Sequence, residues 1–222
     1  FYLTARKEAE TRLVDGANQK PRFNLRSLSR SLEYCADTTQ LFGFDRALLE
    51  GIQLAFLTQL NTASYDIMNA LIHKMIRAKT LNDKMLKVAP TLANFQRSQS
   101  ALTSAKTSTL SVNPVVFEQF ILEAGPQTPF KDPRFIVTQT TQRHLTHLAR
   151  ALTTPKYPLL LQGPTSAGKT SMIEYLAKLT GHRFVRVNNS DQTDLQEYLG
   201  QYIHDAQGRL VYHDGVLVEA LR

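Results

Sequence analysis

The feature that most constrains this 222-residue sequence is one glycine-rich octapeptide. Gly163-Pro164-Thr165-Ser166-Ala167-Gly168-Lys169-Thr170 matches the pattern Gly-x-x-x-x-Gly-Lys-Ser/Thr at every fixed position. An apolar run of strand length precedes it at 157–162, and apolar residues at helical spacing follow it over 171–179. A strand, a glycine loop and a helix in this order present the free amides of a helix N-terminus to polyphosphate oxygens. The octapeptide therefore predicts an ATP or GTP site.

Each residue type in this loop suits that chemistry. Gly163 and Gly168 let phosphate approach the backbone, because a Cβ there would intrude. Pro164 has no N–H, so the later amides of the loop must hold the phosphates. Lys169 is predicted to reach the β- and γ-phosphates, and the Thr170 hydroxyl to bind Mg²⁺. The predicted nucleotide-binding residues are Gly163, Pro164, Thr165, Ser166, Ala167, Gly168, Lys169, Thr170 and Ser171.

Composition excludes several classes of protein. The single cysteine, Cys35, leaves no internal disulfide and no cysteine-based zinc site, and it suits a reducing compartment. No apolar run reaches about 18 residues, so no membrane span is expected. None of the histidine pairs among His182, His204 and His213 has zinc-motif spacing, so we expect no metal other than Mg²⁺. The first residues lack a signal-peptide order and an initiator Met, and we expect a piece of a longer protein.

The first two of three regions differ sharply in apolar pattern. Residues 1–76 are predicted to form a helical bundle, including a helix over 25–36 with Asn24 as its N-cap. The apolar residues at helical spacing are Leu25, Leu28, Leu32 and Cys35; Leu48, Leu49, Ile52, Ala55 and Phe56; and Ile67, Met68, Leu71, Ile72, Met75 and Ile76. Residues 77–113 are polar, basic and weakly periodic, which predicts a mobile linker.

The third region, 114–222, has an α/β pattern. It predicts strands at 115–122, 157–162 and 183–187, a hairpin over 201–213 and a helix over 216–221. A further helix is predicted over 140–152, with Leu145, Leu148, Ala149 and Leu152 facing inward. Strands and helices that alternate around a glycine loop indicate a parallel sheet with nucleotide at the carboxyl ends of its strands.

The net charge of +7 is concentrated in the first half of the chain. Residues 1–113 carry a balance of +6, and residues 114–222 a balance of +1. The excess lies mostly at 74–106, which could contact RNA or an acidic protein surface. Phe95 is the only aromatic residue in that stretch, so a solvated connector is the favoured interpretation and RNA binding the alternative.

The third region resembles a known family over about 60 residues. The segment 162–171 is similar to the phosphate loop of the midasin family, the giant dynein-related AAA+ ATPases of pre-60S ribosome assembly. Segments 181–182, 188–189, 193–200 and 214–222 agree with it, whereas family members tend to carry His and Glu around 190–192. The resemblance implies an α/β P-loop NTPase (AAA+) subdomain with a parallel sheet, incomplete and preceded by an all-α lid.

The resemblance also assigns the helical region. In this family each module has a large α/β subdomain followed by a helical lid, so 1–76 would be one module's lid, 77–113 a linker, and 114–222 the start of the next large subdomain. Segment 23–28 resembles the sensor-2 stretch, which makes Arg26 the residue that would contact the preceding module's γ-phosphate. Lys169 and Thr170 would serve the following module, so the chain would hold two half-sites.

The same resemblance implies a function and leaves alternatives open. It implies ATP and Mg²⁺ as cofactors, a nuclear location (nucleolus and nucleoplasm), other AAA+ modules of the same chain as partners, and release of assembly factors from pre-60S particles. No apolar strand ending in Asp-Glu follows Lys169, so this stretch alone is expected to hydrolyse ATP hardly at all. The alternatives are another dynein-related or MoxR-like AAA+ ATPase, and a non-hydrolysing nucleotide-binding structural module.

Overall fold

The computed structural model describes residues 1–76, 86, 88–91, 114–190, 193–204 and 206–221. They fall into two compact units, Phe1–His182 and Arg183–Arg222. In the first unit the elements are α1 (Tyr2–Thr11), α2 (Leu25–Phe42), α3 (Phe44–Leu57), α4 (Thr62–Met75), β1 (Pro114–Phe117), β2 (Phe120–Glu123), α5 (Gln139–Leu152) and α6 (Lys169–Thr180). In the second they are α7 (Leu195–Leu199), β3 (Gly200–His204), β4 (Leu210–Asp214) and α8 (Val216–Leu221).

The first four helices form the predicted bundle. Its main apolar core gathers side chains from α1, α3, α4 and the segment before α2, including Leu13, Phe23, Leu49, Phe56 and Met68. The rings of Phe23 and Phe56 lie 4.8 Å apart between centroids. Aromatic and aliphatic side chains that pack in this way supply most of the free energy that holds such helices together. The bundle predicted for residues 1–76 is therefore present.

Helix α2 begins where the sequence predicted and ends later. The Asn24 side chain accepts a hydrogen bond from the Ser27 amide at 3.0 Å, which confirms Asn24 as the N-cap. The helix continues to Phe42 and stops at Gly43, whose φ is +80°. A residue with this φ cannot continue a right-handed helix, so Gly43 separates α2 from α3.

The face that α2 buries differs from the predicted leucine face. Leu25 and Leu32 are 71% and 50% exposed, whereas the buried residues are Ser31, Tyr34, Cys35, Thr38 and Leu41. The hydroxyls of Ser31 and Thr38 each donate at 2.7 Å to a carbonyl of their own helix, so burying them leaves no unpaired donor. Leucine spacing alone was therefore a wrong guide here, because small polar residues occupy the inward face.

A hairpin replaces the single strand predicted at 115–122. Strands β1 and β2 are antiparallel, with Val116 opposite Ile121, and they reverse at Glu118, whose φ is +51°. Phe120 of β2 packs with Ala149 of α5, so the hairpin lies on that helix. Within α5, Leu145, Leu148 and Ala149 are buried and Leu152 is partly buried, which confirms the predicted inward face.

The prediction of strands at 157–162 and 183–187 is wrong, because neither segment pairs with another strand among the described residues. Within the first of them, Leu160 is 92% exposed. An apolar extended segment becomes a strand only when a neighbour pairs with its backbone groups. The described residues contain two sheets, each a two-stranded antiparallel hairpin. The predicted parallel sheet is thus not formed among them.

The second unit contains the predicted hairpin and final helix. Strands β3 and β4 pair antiparallel with Tyr202 opposite Tyr212, and their rings meet edge to face at 5.1 Å between centroids. Helix α8 follows as predicted. Helix α7 was not predicted, because five residues are too few for a helical period to show.

Two other expectations concern segments that the structure covers in part. The linker and the basic stretch 74–106 lie mostly outside the described residues. Within the described residues, no helix has the length and apolar character needed to cross a membrane.

Candidate functional site

The glycine-rich loop leads directly into helix α6, as the motif requires. The helix begins at Lys169, and Gly168 precedes it in the left-handed conformation with φ +78°. Most of the loop is exposed, and Ser166 also has a positive φ, +63°. A Cβ on Gly168 would meet no atom of the chain within 4 Å, so within the chain itself the positive φ is what requires glycine; the room that Gly168 leaves for phosphate stays a prediction. No described side chain caps α6, so its first amides have no side-chain partner at the N-cap.

The Lys169 side chain folds back over the loop. Its Nζ donates to the carbonyl oxygens of Gly163 at 3.0 Å and Pro164 at 2.6 Å. The ammonium group therefore lies inside the curve of the loop, on the side where the motif places the β- and γ-phosphates. An ammonium on flexible methylenes can exchange carbonyl partners for phosphate oxygens with little rearrangement.

These residues fit a phosphate group. A helix N-terminus carries a partial positive charge, and the Lys169 ammonium adds a full one beside it. Thr170 follows in the first turn of α6, with an exposed side chain whose hydroxyl bonds to none of the described residues. A hard cation such as Mg²⁺ takes oxygen ligands of this kind. Among the described residues, no three His, Cys, Asp or Glu side chains are placed to hold a metal ion together.

Arg26 forms no polar bond with the loop among the described residues. It is exposed in the first turn of α2, and it forms no hydrogen bond or ion pair with the described residues. The structure therefore does not bring Arg26 together with Lys169 and Thr170. Its assignment to the nucleotide of a preceding module stays a prediction.

A buried charge cluster joins α3 to α5, the helix that precedes the loop. Glu50 of α3 receives a hydrogen bond from the Arg150 Nε at 2.5 Å, and the Arg46 Nε lies 3.7 Å from its other oxygen. All three side chains are at most 7% exposed. Burial is the largest single influence and acts to lower the pKa of Arg150, but the charge and the hydrogen bond of Glu50, with smaller contributions from Tyr34 and Tyr65, together raise it. Burial is the main cause that lowers the pKa of Arg46, and its Nε lies farther from Glu50, at 3.7 Å, than the Nε of Arg150, at 2.5 Å.

The arginines of the cluster also bind neutral groups. Arg150 Nη2 donates to Gln53 Oε1 at 2.9 Å, and Nη1 lies 2.8 Å from His147 Nδ1. Burial, followed by the charge of Arg150, lowers the pKa of His147 to about 3. His147 is therefore neutral at neutral pH, with Nδ1 as the acceptor. Arg46 donates to the carbonyls of Val88 at 2.5 Å and Gln119 at 2.9 Å, which ties the hairpin turn to α3.

A second group of charges borders α6. Asp132 accepts hydrogen bonds from the backbone and side chain of Arg134, and its Oδ2 lies 3.3 Å from Lys178 Nζ. The Arg134 side chain is the main cause that lowers the pKa of Asp132. An open cavity of about 310 Å³ lies beside them, and Ser171 of the predicted set is in its lining. Sequence patterns do not indicate this group, because Asp132 and Lys178 are 46 residues apart.

Two family models match the chain on either side of the linker. The model described as the midasin AAA lid domain matches residues 1–79. The model described as the AAA domain of the dynein-related subfamily matches residues 158–222, which include the glycine-rich loop and α6. The order of the two matches, a lid followed by an AAA domain, agrees with the order of the helical bundle and the loop.

Two curated relatives match along the whole chain. Midasin of Dictyostelium discoideum is 47% identical over 225 residues, and midasin of Giardia intestinalis is 32% identical over 232 residues. Each alignment covers all of this chain but 4% and 5% of the respective relative. The chain thus spans a small part of the proteins it matches. With its AAA lid, its incomplete α/β P-loop subdomain and its identity to both relatives, the chain belongs to the midasin family of dynein-related AAA+ proteins.

Proposed function

We propose that residues 163–171 bind the phosphates of ATP, with Lys169 on the β- and γ-phosphates and Thr170 on Mg²⁺. The observation that carries the proposal is the position of the Lys169 ammonium, 3.0 Å from the Gly163 carbonyl and inside the loop that opens α6. The uncapped amides at the start of α6 supply the remaining donors. The bound nucleotide would supply the phosphoryl group whose transfer to water drives the protein.

The larger protein is proposed to act as an ATPase motor. Its hydrolysis of ATP would drive release of assembly factors from pre-60S ribosomal particles in the nucleolus and nucleoplasm. This rests on family membership and on the resemblance of the loop and its flanks. Its partners would be other AAA+ modules of the same chain and the pre-60S particles. Direct RNA contact by the basic stretch at 74–106 is a further possibility that a salt titration of RNA binding tests.

The two ends of the segment would serve different nucleotides. In this proposal 1–76 is the lid of one module, 77–113 the linker, and 114–222 the beginning of the next large subdomain. Arg26 would contact the γ-phosphate bound by the preceding module, while Lys169 and Thr170 serve the next. Among the described residues no hydrogen bond or ion pair joins Arg26 to the loop, which agrees with this separation.

The test is a Lys169→Ala substitution in a full-length protein that carries this segment. Lys131→Ala is the matched control, because Lys131 is an exposed lysine of the same unit. We expect Lys169→Ala to reduce both the ATPase rate and the release of assembly factors, and the control to leave both unchanged. Unchanged turnover with lost nucleotide binding would instead favour a structural nucleotide that only stabilises the fold.

A further inference from the structure

Helix α2 contacts the segment that leads into the glycine-rich loop. We name residues 153–162 the approach segment, since they join α5 to Gly163. The Tyr157 hydroxyl donates to Glu33 Oε2 of α2 at 2.7 Å. The neighbouring Lys156 Nζ lies 3.8 Å from the same oxygen and 3.8 Å from Asp37 Oδ2. Two consecutive residues of the approach segment are thus held by two carboxylates of one helix.

Arg30 completes this contact. Its guanidinium carbon lies 5.0 Å from the centroid of the Tyr157 ring, within the range of a cation–π interaction. Arg30, Glu33 and Asp37 are three and four residues apart, so they share one face of α2. We name Arg30, Glu33, Asp37, Lys156 and Tyr157 the α2 clamp. The hydrogen bond between Tyr157 and Glu33 lowers the pKa of Glu33 and raises that of Tyr157. At neutral pH Glu33 is therefore ionised and the Tyr157 hydroxyl keeps its proton.

The clamp borders a cavity between this part of the approach segment and the bundle. A cavity of about 320 Å³ lies between α2, α3 and the approach segment. Its apolar lining includes Leu54, Ala55, Pro158 and Leu159, which leave open space where a packed interface would be filled. The polar contacts of Tyr157 and Lys156 therefore contribute much of what holds the approach segment in place beside α2.

The other end of the approach segment is fixed to the same two helices. Arg150, just before it, forms the buried pair with Glu50 of α3, and its carbonyl accepts a hydrogen bond from the Tyr34 hydroxyl of α2 at 3.1 Å. Tyr157 lies six residues before Gly163. Six residues give the chain limited freedom, so the position of Tyr157 restricts where the loop begins.

We propose that Tyr157 and Glu33 are positioning residues for the glycine-rich loop, and that α2 senses through them whether the loop holds nucleotide. The inference rests on the proposed nucleotide binding by 163–171. Arg26 lies one helical turn before Arg30, on a neighbouring part of the same face. One helix therefore carries both the residue assigned to the preceding nucleotide and the clamp on the loop for the next.

The test measures Mg·ATP binding to the 222-residue chain by NMR titration, with Tyr157→Phe, Glu33→Gln and the double variant. Phenylalanine keeps a ring for Arg30 and removes only the hydroxyl. Each single variant should weaken Mg·ATP binding by about 3- to 10-fold, because only part of the free energy of one charge-assisted hydrogen bond contributes to nucleotide binding. The double variant should bind about as weakly as Tyr157→Phe alone, because glutamine keeps an acceptor oxygen and only weakens the bond that phenylalanine removes. Tyr202→Phe, in the second unit, is the control and should bind as the original chain does.

A readout from α2 separates positioning from a general loss of stability. The thermal midpoint of Tyr157→Phe should stay close to that of the original chain. The Arg30 Nε–H resonance should shift on nucleotide addition in the original chain, and should not shift in Lys169→Ala. Equal affinities for the original chain and Tyr157→Phe, or an unmoved Arg30 resonance while 163–171 respond, would overturn the positioning role alone. Absence of any response at 163–171 in the original chain would overturn the nucleotide site and with it this inference.

Discussion

Replacing Glu50 by glutamine should sharply destabilise the first unit, because Glu50 is the only carboxylate in direct contact with two buried arginines of the described region. Its side chain is 3% exposed, and those of Arg46 and Arg150 are 7% and 6% exposed. Glutamine keeps the size of the side chain and removes the negative charge. Both guanidinium groups would then stay charged in a site from which water is largely excluded.

The magnitude follows from the geometry of the pair. At an effective dielectric constant of about 20, two charges about 4 Å apart interact by about 4 kcal/mol. After the substitution the partners of Arg150 would be the neutral groups of Gln53 and His147, which do not replace a charge. Loss of one partner from a buried pair costs about 3–5 kcal/mol. We therefore expect the unfolding free energy of the first unit to fall by about 3–5 kcal/mol.

Urea unfolding followed by helical circular dichroism measures this change, because the long helices lie in the first unit. Glu8→Gln is the matched control, because Glu8 pairs with Arg12 at the surface and the Arg12 side chain is 60% exposed. The unfolding free energy of Glu8→Gln should fall by less than about 1 kcal/mol. The double substitution Glu50→Leu with Arg150→Met should recover a large part of the loss. If Glu50→Gln is no more destabilising than Glu8→Gln, the reasoning about a desolvated pair is refuted.

Three further predictions concern local features of the first unit. Asn24→Ala removes the cap of α2 and should cost about 1 kcal/mol in urea unfolding, whereas Asn24→Gly should cost a few tenths; equal losses would contradict the capping role. The pKa of His147 is lowered from 6.5 to about 3, so the unfolded chain binds a proton near pH 6.5 that the folded one does not. As the pH falls from about 6.5 to 5, the unfolding free energy of the original chain should therefore decrease by about 1.5 kcal/mol more than that of His147→Asn. Parallel curves of unfolding free energy against pH for the two chains would contradict this. Gly181→Ala would place a Cβ 2.1 Å from the Gln127 carbonyl oxygen, whereas a Cβ on the control residue Gly43 would meet nothing within 4 Å. Because both glycines have a positive φ, the stability that Gly181→Ala loses beyond the loss for Gly43→Ala, about 1–3 kcal/mol by thermal or urea unfolding, measures the clash alone. Equal losses for the two variants would contradict the clash.

Features set by neighbouring residues could be predicted from the sequence. The glycine spacing of 163–168 and the apolar period after it define the loop and α6, and both are present. The cap at Asn24 is also local, because the acceptor and the Ser27 donor are three residues apart. Such features depend on backbone geometry within one turn, which short sequence patterns encode directly.

Features that depend on distant contacts could not be predicted. The reversal at Glu118 uses neither Gly, Asn nor Pro, and its carboxylate accepts hydrogen bonds from Gln142 at 2.6 Å and Thr146 at 2.8 Å on α5. Those partners are 24 and 28 residues away and leave no local signal. The Glu50–Arg150 pair spans 100 residues, and the clamp between Glu33 and Tyr157 spans 124. The strand predicted at 157–162 failed for a related reason, since pairing is a property of two segments and one sequence run cannot show it.

Residues 163–171 are proposed to hold the phosphates of Mg·ATP. The most direct test is a titration of Mg·ATP, up to millimolar concentrations, into the ¹⁵N-labelled chain with the amide resonances of 163–171 followed by NMR, together with Lys169→Ala and the Lys131→Ala control. We expect saturable shifts centred on Gly168, Lys169 and Thr170 that persist in the control and disappear in Lys169→Ala. Shifts that are absent from these amides, or that remain unchanged in Lys169→Ala, would contradict the proposed site.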